Sequence, residues 1–451
     1  MKTKIKKALK DKNFSELVKG GGVSIFLRFG GLAVGYLLTL VIANLFGARG
    51  LGDYVLAITV LRLFTLLAKL GLDTTSIRFI ASFALQEKWT SIFYFRKQVV
   101  PILSFTSIVA SLMMYFLSEP IADLINTNVR YIQLNAFFVM PMAFFMLHYQ
   151  SLRGLKRIAE FSFFYRMSQS LFSVIAIVII YQFTTDAEVP VYAYLVSVSI
   201  VAFLSFLSYR YWIKNKSEGR QSADKEVRSY SEILKISIPL MFAQSVQFII
   251  AWTDKLMLGN MTTSEDVGIY HTAFKLSMFA AVSLMSINSI ASPKFAEMFG
   301  KNDMEGLKKV VHQSTKIIFW TSVPLVVIFF IFPEFLLGLF GEEFKIGVTA
   351  FIFLSCGRLI SSFSGSVGNI LQMTGNQNIY AKILFVGAIL NVTLNLILIP
   401  DTSPLAVFNI VGINGAAFAS MSSLIIWNVS MVFVVKKKFG FYTFYIPFIK
   451  R

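Results

Sequence analysis

Twelve windows of predominantly apolar residues run through this chain, near 23–47, 53–73, 98–118, 131–150, 161–183, 190–209, 233–258, 267–292, 317–339, 346–371, 378–400 and 411–435. Each is about the 20 residues needed to cross ~30 Å of hydrocarbon at 1.5 Å per helical residue. With 56% hydrophobic residues over a length of 451, the chain is too apolar for a soluble protein, and the windows point to an all-α integral membrane protein with twelve transmembrane helices. The first window contains Arg28 and reads as a retained helix, not a cleaved signal. No loop exceeds about 26 residues, which leaves no room for a soluble catalytic domain. Function is therefore expected inside the membrane, and no enzyme activity is expected.

The net charge of +18 would suit a nucleic-acid binder, but its distribution points to topology. Both ends and the even-numbered loops together carry +22, whereas the odd-numbered loops carry −8. By the positive-inside rule both termini are cytoplasmic, which an even number of crossings requires, and no nucleic-acid partner is expected. A lone Cys356 excludes a disulfide framework, and His148, His271 and His312 fall in three different segments. No metal site of ordinary ligand count is expected.

The longest hydrophilic stretch, residues 214–232, divides the windows six and six. The sequence thus predicts a cytoplasmic N-terminal segment (1–22), a six-helix bundle (23–213), a cytoplasmic linker (214–232), a second six-helix bundle (233–435) and a basic cytoplasmic tail (436–451). A shift of 216 places Gly52 and Tyr54 on Gly268 and Tyr270, Ala57 on Ala273, Ser76 on Ser292, and Arg78-Phe79 on Lys294-Phe295. The matches bracket the second and eighth helices, the same element of each half. Six helices per half imply parallel repeats about an axis along the membrane normal, with a substrate site between them.

Eight charged residues remain inside the apolar windows: Arg28, Arg62, Lys69, Asp73, Asp254, Lys255, Lys275 and Arg358. An ionisable group at mid-bilayer costs roughly 2.5–3.5 kcal/mol or more and normally faces protein or water. Helical spacing arranges these residues in stripes. Arg62, Lys69 and Asp73 share a face of the second helix. Arg28, Gly31, Gly35 and Thr39 share one of the first, Gln244, Gln247, Ala251 and Lys255 one of the seventh, and Arg358, Ser362, Gly365 and Asn369 one of the tenth. The eighth offers His271, Lys275 and Ser289. Helices 1, 2, 7, 8 and 10 are therefore expected to line a cavity, and the apolar helices 3, 5, 6, 9 and 12 to face lipid.

Depth sorts the charges further. Arg28, Lys69, Asp73, Asp254 and Lys255 lie within two turns of a helix end, where long side chains can snorkel to the headgroups. Lys69 and Asp73, at i and i+4, can neutralise each other. Arg62, Lys275 and Arg358 lie deeper, roughly 12–18 Å along their helices, and the sequence places no acidic residue at that depth. An anion is their expected complement. Gln244, Gln247, Asn369, Asn391 and Asn395 can serve sugar hydroxyls or neighbouring helices.

The opening "FSELVKGGGVSIFLRFGGLAVGYLLTLVIANLFGARGLGDYVL", then "LLAKLGLDTTSIRFIA", and the distal "GNILQMTGNQNIYAKILFVGAILNVTLNLILIP" with "GINGAAFASMSSLIIWN", resemble the polysaccharide and O-antigen flippases of the multidrug/oligosaccharidyl-lipid/polysaccharide exporter superfamily. The resemblance implies a MATE-like fold of two six-helix bundles in a V. It implies alternating access that moves undecaprenyl-pyrophosphate-linked oligosaccharide to the outer leaflet of the bacterial plasma membrane, with membrane lipid and the polysaccharide polymerase machinery as partners. Arg28 in "FLRFGG" stands where peptidoglycan-precursor flippases carry a cavity arginine. Substrate binding is thus expected at Arg28, Arg62, Lys275, Arg358, Gln244, Gln247 and Asn369, with no cofactor beyond H⁺ or Na⁺ coupling at Asp73 or Asp254. The alternative is a cation-coupled multidrug exporter, which would use Asp73 or Asp254 as its cavity acid.

Overall fold

The computed structural model describes residues 12–217, 226 and 228–445. Parts of the predicted segments 1–22, 214–232 and 436–451 lie outside the described residues. Among the described residues every regular element is helical. In chain order the main helices are α1 (Lys12–Ala68), α2 (Leu72–Leu85), α3 (Trp89–Phe116), α4 (Val129–Ala136), α5 (Val139–Gly154), α6 (Ile158–Ile180) and α7 (Val189–Ser217). They continue as α8 (Tyr230–Met261), α9 (Ser264–Ser277), α10 (Phe279–Gly300), α11 (Met304–Ile331), α12 (Val348–Ser364), α13 (Val367–Met373), α14 (Gln377–Leu398) and α15 (Gly412–Phe439).

Nine of the described helices are long and apolar enough to cross a membrane, and two bent pairs, α4 with α5 and α9 with α10, raise the number to eleven. The apolar run Phe26–Ala68 has 43 residues, so at 1.5 Å per residue it is about twice as long as the hydrocarbon is thick. It breaks at Gly47, which holds φ 70°, a backbone state open to glycine at no steric cost. Its two arms are each long enough for one crossing, which is consistent with the twelve windows of the sequence.

The chain forms two compact units, residues 1–45 with 57–248 and residues 46–56 with 249–451. In the first, α2 packs on α3 and α5, α3 on α5, and α7 on α5 and α6. In the second, α10 packs on α11 and α12, α11 on α12, and α15 on α12 and α14. The second set of neighbours repeats the first in order, which is what an internal duplication requires.

Gly52 and Gly268, matched by the shift of 216, meet in the second unit. A Cβ on Gly52 would lie 1.6 Å from the Ser264 carbonyl oxygen and 3.1 Å from the Gly268 nitrogen. One on Gly268 would lie 2.0 Å from the Ala48 oxygen and 3.1 Å from the Gly52 nitrogen. The same shift takes Ala48 to Ser264, so the contact is its own image under the repeat. Next to it, Glu343 Oε1 accepts from the Ala48 amide at 2.6 Å. A carboxylate there satisfies one of the amides freed by the Gly47 break and meets the positive end of the arm that follows.

The last helix, expected to face lipid, exposes Ile426 and Phe433 on one side and packs closely on the second unit with the other. α15 packs on α9, α12, α13 and α14 and buries Ala416, Ala417 and Ala419 completely. A Cβ on Gly415 would come within 2.0 Å of the Leu398 oxygen, so its run of small residues admits a neighbouring backbone at close range. Beyond it the chain turns at Gly440 (φ 81°) and folds back onto the second unit. Thr443 Oγ1 donates to the Ser364 carbonyl at 2.8 Å, an oxygen released where α12 breaks at Gly365 (φ 70°). Leaving it unmet in a buried place would cost about 1–3 kcal/mol.

Candidate functional site

Each unit holds a buried carboxylate, and the two are satisfied differently. In the first unit Lys69 Nζ donates to Asp73 Oδ2 at 2.8 Å, across the break made by Leu70 (φ 46°) and Gly71 (φ 75°) between α1 and α2. Both residues are buried. Gln244 Nε2 on α8 donates to Thr74 Oγ1 at 2.7 Å and approaches Asp73 Oδ1 at 3.4 Å. The mutual neutralisation expected from the i,i+4 spacing is thus formed, and Asp73 has a committed cation.

In the second unit Asp254, on α8, is only 4% exposed and accepts from neutral groups. Tyr270 Oη of α9 donates to Oδ2 at 2.6 Å, Asn395 Nδ2 of α14 to Oδ1 at 2.7 Å, and Ser420 Oγ of α15 to Oδ2. Asn391 Oδ1 lies 3.3 Å from Asn395 Nδ2. The expectation that Asp254 and Lys255 sit near enough to a helix end to snorkel is corrected here. Lys255 is 2% exposed and donates to the Ala251 carbonyl at 2.9 Å. Its ammonium sits 4.4 Å from the ring centre of Phe274, which Arg358 also overlies at 5.4 Å. Tyr270 of α9, Asn395 of α14 and Ser420 of α15 enclose the Asp254 carboxylate.

The remaining predicted residues occupy half-buried positions, except Gln247. Arg62 lies on α1 and Arg358 on α12, and Arg62 is within electrostatic range of Tyr149. Lys275 lies in the last turn of α9, just before the 44° bend to α10. The terminal carbonyls of that turn carry partial negative charge and favour a cation. Asn369 is half-buried on α13, Gln244 is half-buried and Gln247 exposed on α8. Arg62 belongs to the first unit, and Lys275 and Arg358 to the second.

Arg28 has a neighbour that the stripe argument missed. A Cβ on Gly31 would lie 2.6 Å from the Arg166 carbonyl oxygen, so α1 runs directly against a π-helical turn, Phe164–Ser168, inside α6. Arg28, one turn before Gly31, is within electrostatic range of Arg166 and Tyr165. In the sequence Arg166 reads as one more basic residue at the end of a loop. The extra residue per turn of a π-helix has no sequence signal of its own.

Comparison with known proteins bears on this arrangement. The family model described as "Polysaccharide biosynthesis protein" matches residues 17–299, and the MatE model matches 239–397. The chain is 25% identical over 174 residues to a probable low-salt glycan biosynthesis flippase of Haloferax volcanii, covering 38% of this chain and 35% of that protein. It therefore spans about a third of that relative's length. An uncharacterized membrane protein of Methanocaldococcus jannaschii is 23% identical over 448 residues, 93% of this chain and 84% of that one. A capsular polysaccharide biosynthesis protein of Staphylococcus aureus is 22% identical over 236 residues, 52% and 59% of the two chains. Among solved structures, an inward-facing MATE transporter of the MOP superfamily aligns with a TM-score of 0.71 at 13% identity over 91% of this chain and 98% of that chain. The lipid II flippase MurJ aligns with a TM-score of 0.69 at 15% identity over 94% and 89%. The fold is thus MATE-like.

Proposed function

We propose that this chain, which belongs to the polysaccharide biosynthesis protein family of the MOP exporter superfamily, flips undecaprenyl-pyrophosphate-linked oligosaccharide across the plasma membrane. Transport proceeds by alternating access of the two six-helix units, and both termini lie on the cytoplasmic side, where the basic loops belong. Carrying this reading is the presence, in both units, of half-buried cations on apolar spans: Arg28 and Arg62 in the first, Lys275 and Arg358 in the second. A cation at membrane depth is costly, and a pyrophosphate passing through offsets that cost at each station. Charge attraction worth ~1 kcal/mol in water is several-fold stronger at lower effective dielectric, and arginine engages phosphate oxygens through two parallel donors. Separated cations on different helices also suit an anion that has to be released. Polysaccharide polymerase machinery is the expected consumer of the flipped product.

A series at Arg62 separates charge from fold. Arg62→Lys keeps part of glycan export, Arg62→Ala loses roughly tenfold or more, equivalent to about 1.4 kcal/mol, and Arg62→Glu is lowest. All three reach the membrane at wild-type abundance. Normal surface glycan from cells carrying stably expressed Arg62→Ala and Arg358→Ala would assign these cations to packing and end the reading.

One observation favours a second reading, a cation-coupled exporter of small drugs. It is the Asp254 cluster, of which Asp254, Tyr270, Asn391 and Asn395 lie within the MatE match and Ser420 lies beyond it. The oxygens of Asp254, Tyr270, Ser420, Asn391 and Asn395 are hard donors, of the kind that hold Na⁺ or pass a proton. Of the two carboxylates named from the sequence, Asp254 is the better coupling residue because Asp73 is held by Lys69. In a flippase the same cluster would supply the driving ion.

A further inference from the structure

Phe274 of α9 lies between the Asp254 cluster and Arg358. Its ring is shared by two cations, with Lys255 Nζ 4.4 Å and the Arg358 guanidinium carbon 5.4 Å from its centre. One turn earlier the Tyr270 ring stacks on it, with centres 6.2 Å apart and planes 28° from parallel. Tyr270 is fully buried, and its hydroxyl is the one that donates to Asp254 Oδ2 at 2.6 Å. Two rings at i and i+4 therefore join the carboxylate that suits a coupling ion to an arginine that suits the pyrophosphate. All of these residues belong to the second unit.

Contact alone would make the two rings core packing, but charge gives them a further consequence. Arg358 is within electrostatic range of the Tyr270 hydroxyl, which is bonded to the carboxylate, so Asp254 acts on whatever Arg358 binds. With Asp254 ionised and no ion bound, its charge attracts Arg358 and repels an anion beside it. A cation on the Asp254 oxygens cancels that charge, and in a buried place such effects are several-fold larger than in water. Arg358 is then left to the anion. A guanidinium over an aromatic ring keeps its edge donors for phosphate oxygens, so Phe274 can hold Arg358 near the carboxylate without using up those donors.

We propose that Tyr270 and Phe274 are positioning residues that couple the two sites, so that a cation at Asp254 and the pyrophosphate at Arg358 each strengthen the binding of the other. This rests on the flippase reading with Asp254 as its ion site, and adds the sign of the coupling and the residues that transmit it. Linkage makes the effect reciprocal. Ion-free protein takes up substrate poorly and substrate-free protein holds the ion poorly, which discourages either from crossing alone.

Binding of a sugar-free polyprenyl pyrophosphate to the purified full-length protein in lipid nanodiscs tests this, in sodium chloride and in choline chloride at equal ionic strength. Asp254→Asn, which removes the charge and keeps the shape, imitates the ion-bound site. In choline it binds the probe roughly five- to tenfold more tightly than the wild type, in the range of coupled sites, although it exports less. Sodium gives the wild type the same gain and gives Asp254→Asn none; a gain produced by acidification in place of sodium, again absent from Asp254→Asn, sustains the coupling with a proton as the ion. Phe274→Leu and Arg358→Ala lose the gain, and Phe274→Tyr, which keeps the ring, retains it. The gain is a ratio within each variant, so partial unfolding does not imitate its loss. Asp254→Asn that binds no more tightly than the wild type, or a gain undiminished in Phe274→Leu, would overturn the coupling and leave the flippase reading standing. A wild type that binds no probe under any of these conditions would remove both.

Discussion

Gly52→Ala is expected to abolish export and remove most of the folded protein from the membrane. The added methyl carbon would stand 1.6 Å from the Ser264 carbonyl oxygen, and that oxygen belongs to backbone, which cannot swing aside as a side-chain end would. Either α9 or the arm after Gly47 has to move, and Glu343 then loses its hold on the Ala48 amide. Overpacking of this kind costs about 3 kcal/mol, comparable to a large part of a typical folding stability. Gly268→Ala should do the same through the Ala48 oxygen. Gly300→Ala is the control, because a Cβ there meets nothing within 4 Å; it should be neutral or slightly stabilising. Thermal melting in detergent checks the series, and a Gly52→Ala protein that melts with the wild type would show that the two backbones do not approach as described.

Asp254→Asn is expected to leave the fold in place and lower export on the order of 10- to 100-fold, the range of a coupling free energy of 1–3 kcal/mol. The amide keeps the shape and one acceptor oxygen for Tyr270 or Ser420, but it cannot carry the charge that attracts a coupling ion. Asp254→Ala is harsher, since the buried donors of Tyr270 and Asn395 lose their acceptor at about 1–3 kcal/mol each. Export measured beside melting temperature separates the two losses. Full export by Asp254→Asn would show that the carboxylate is a structural hydrogen-bond hub and carries no ion.

What the sequence disclosed and withheld follows from the range of each signal. Apolar length and loop charge are summed over many residues, so twelve apolar windows are countable and the duplication emerges from a few matched positions. The Lys69–Asp73 pair was readable from its four-residue spacing, although the chain breaks at Leu70 and Gly71 between the two residues. Asp254 stood out as an acid in an apolar window, but its partners Asn395 and Ser420 are 141 and 166 positions away, and linear spacing carries no trace of such pairing. Helix α15 reads as lipid-facing in the sequence because apolar residues serve lipid and protein neighbours equally well. Only its small residues hinted at close packing. The π-helical turn that sets the Arg166 carbonyl against Gly31 departs from the 3.6-residue period on which the stripes rest, and the sequence carries no sign of it.

The most direct measurement reconstitutes the purified protein in liposomes carrying polyprenyl-pyrophosphate-linked oligosaccharide in the inner leaflet and follows the appearance of sugar outside with an impermeant lectin. The flippase account predicts protein-dependent transfer that a combined Arg62→Ala, Lys275→Ala and Arg358→Ala variant loses, with no transport of a cationic dye by either protein. Liposomes that move the dye in an ion-dependent manner while the oligosaccharide stays inside would contradict it and identify a drug exporter.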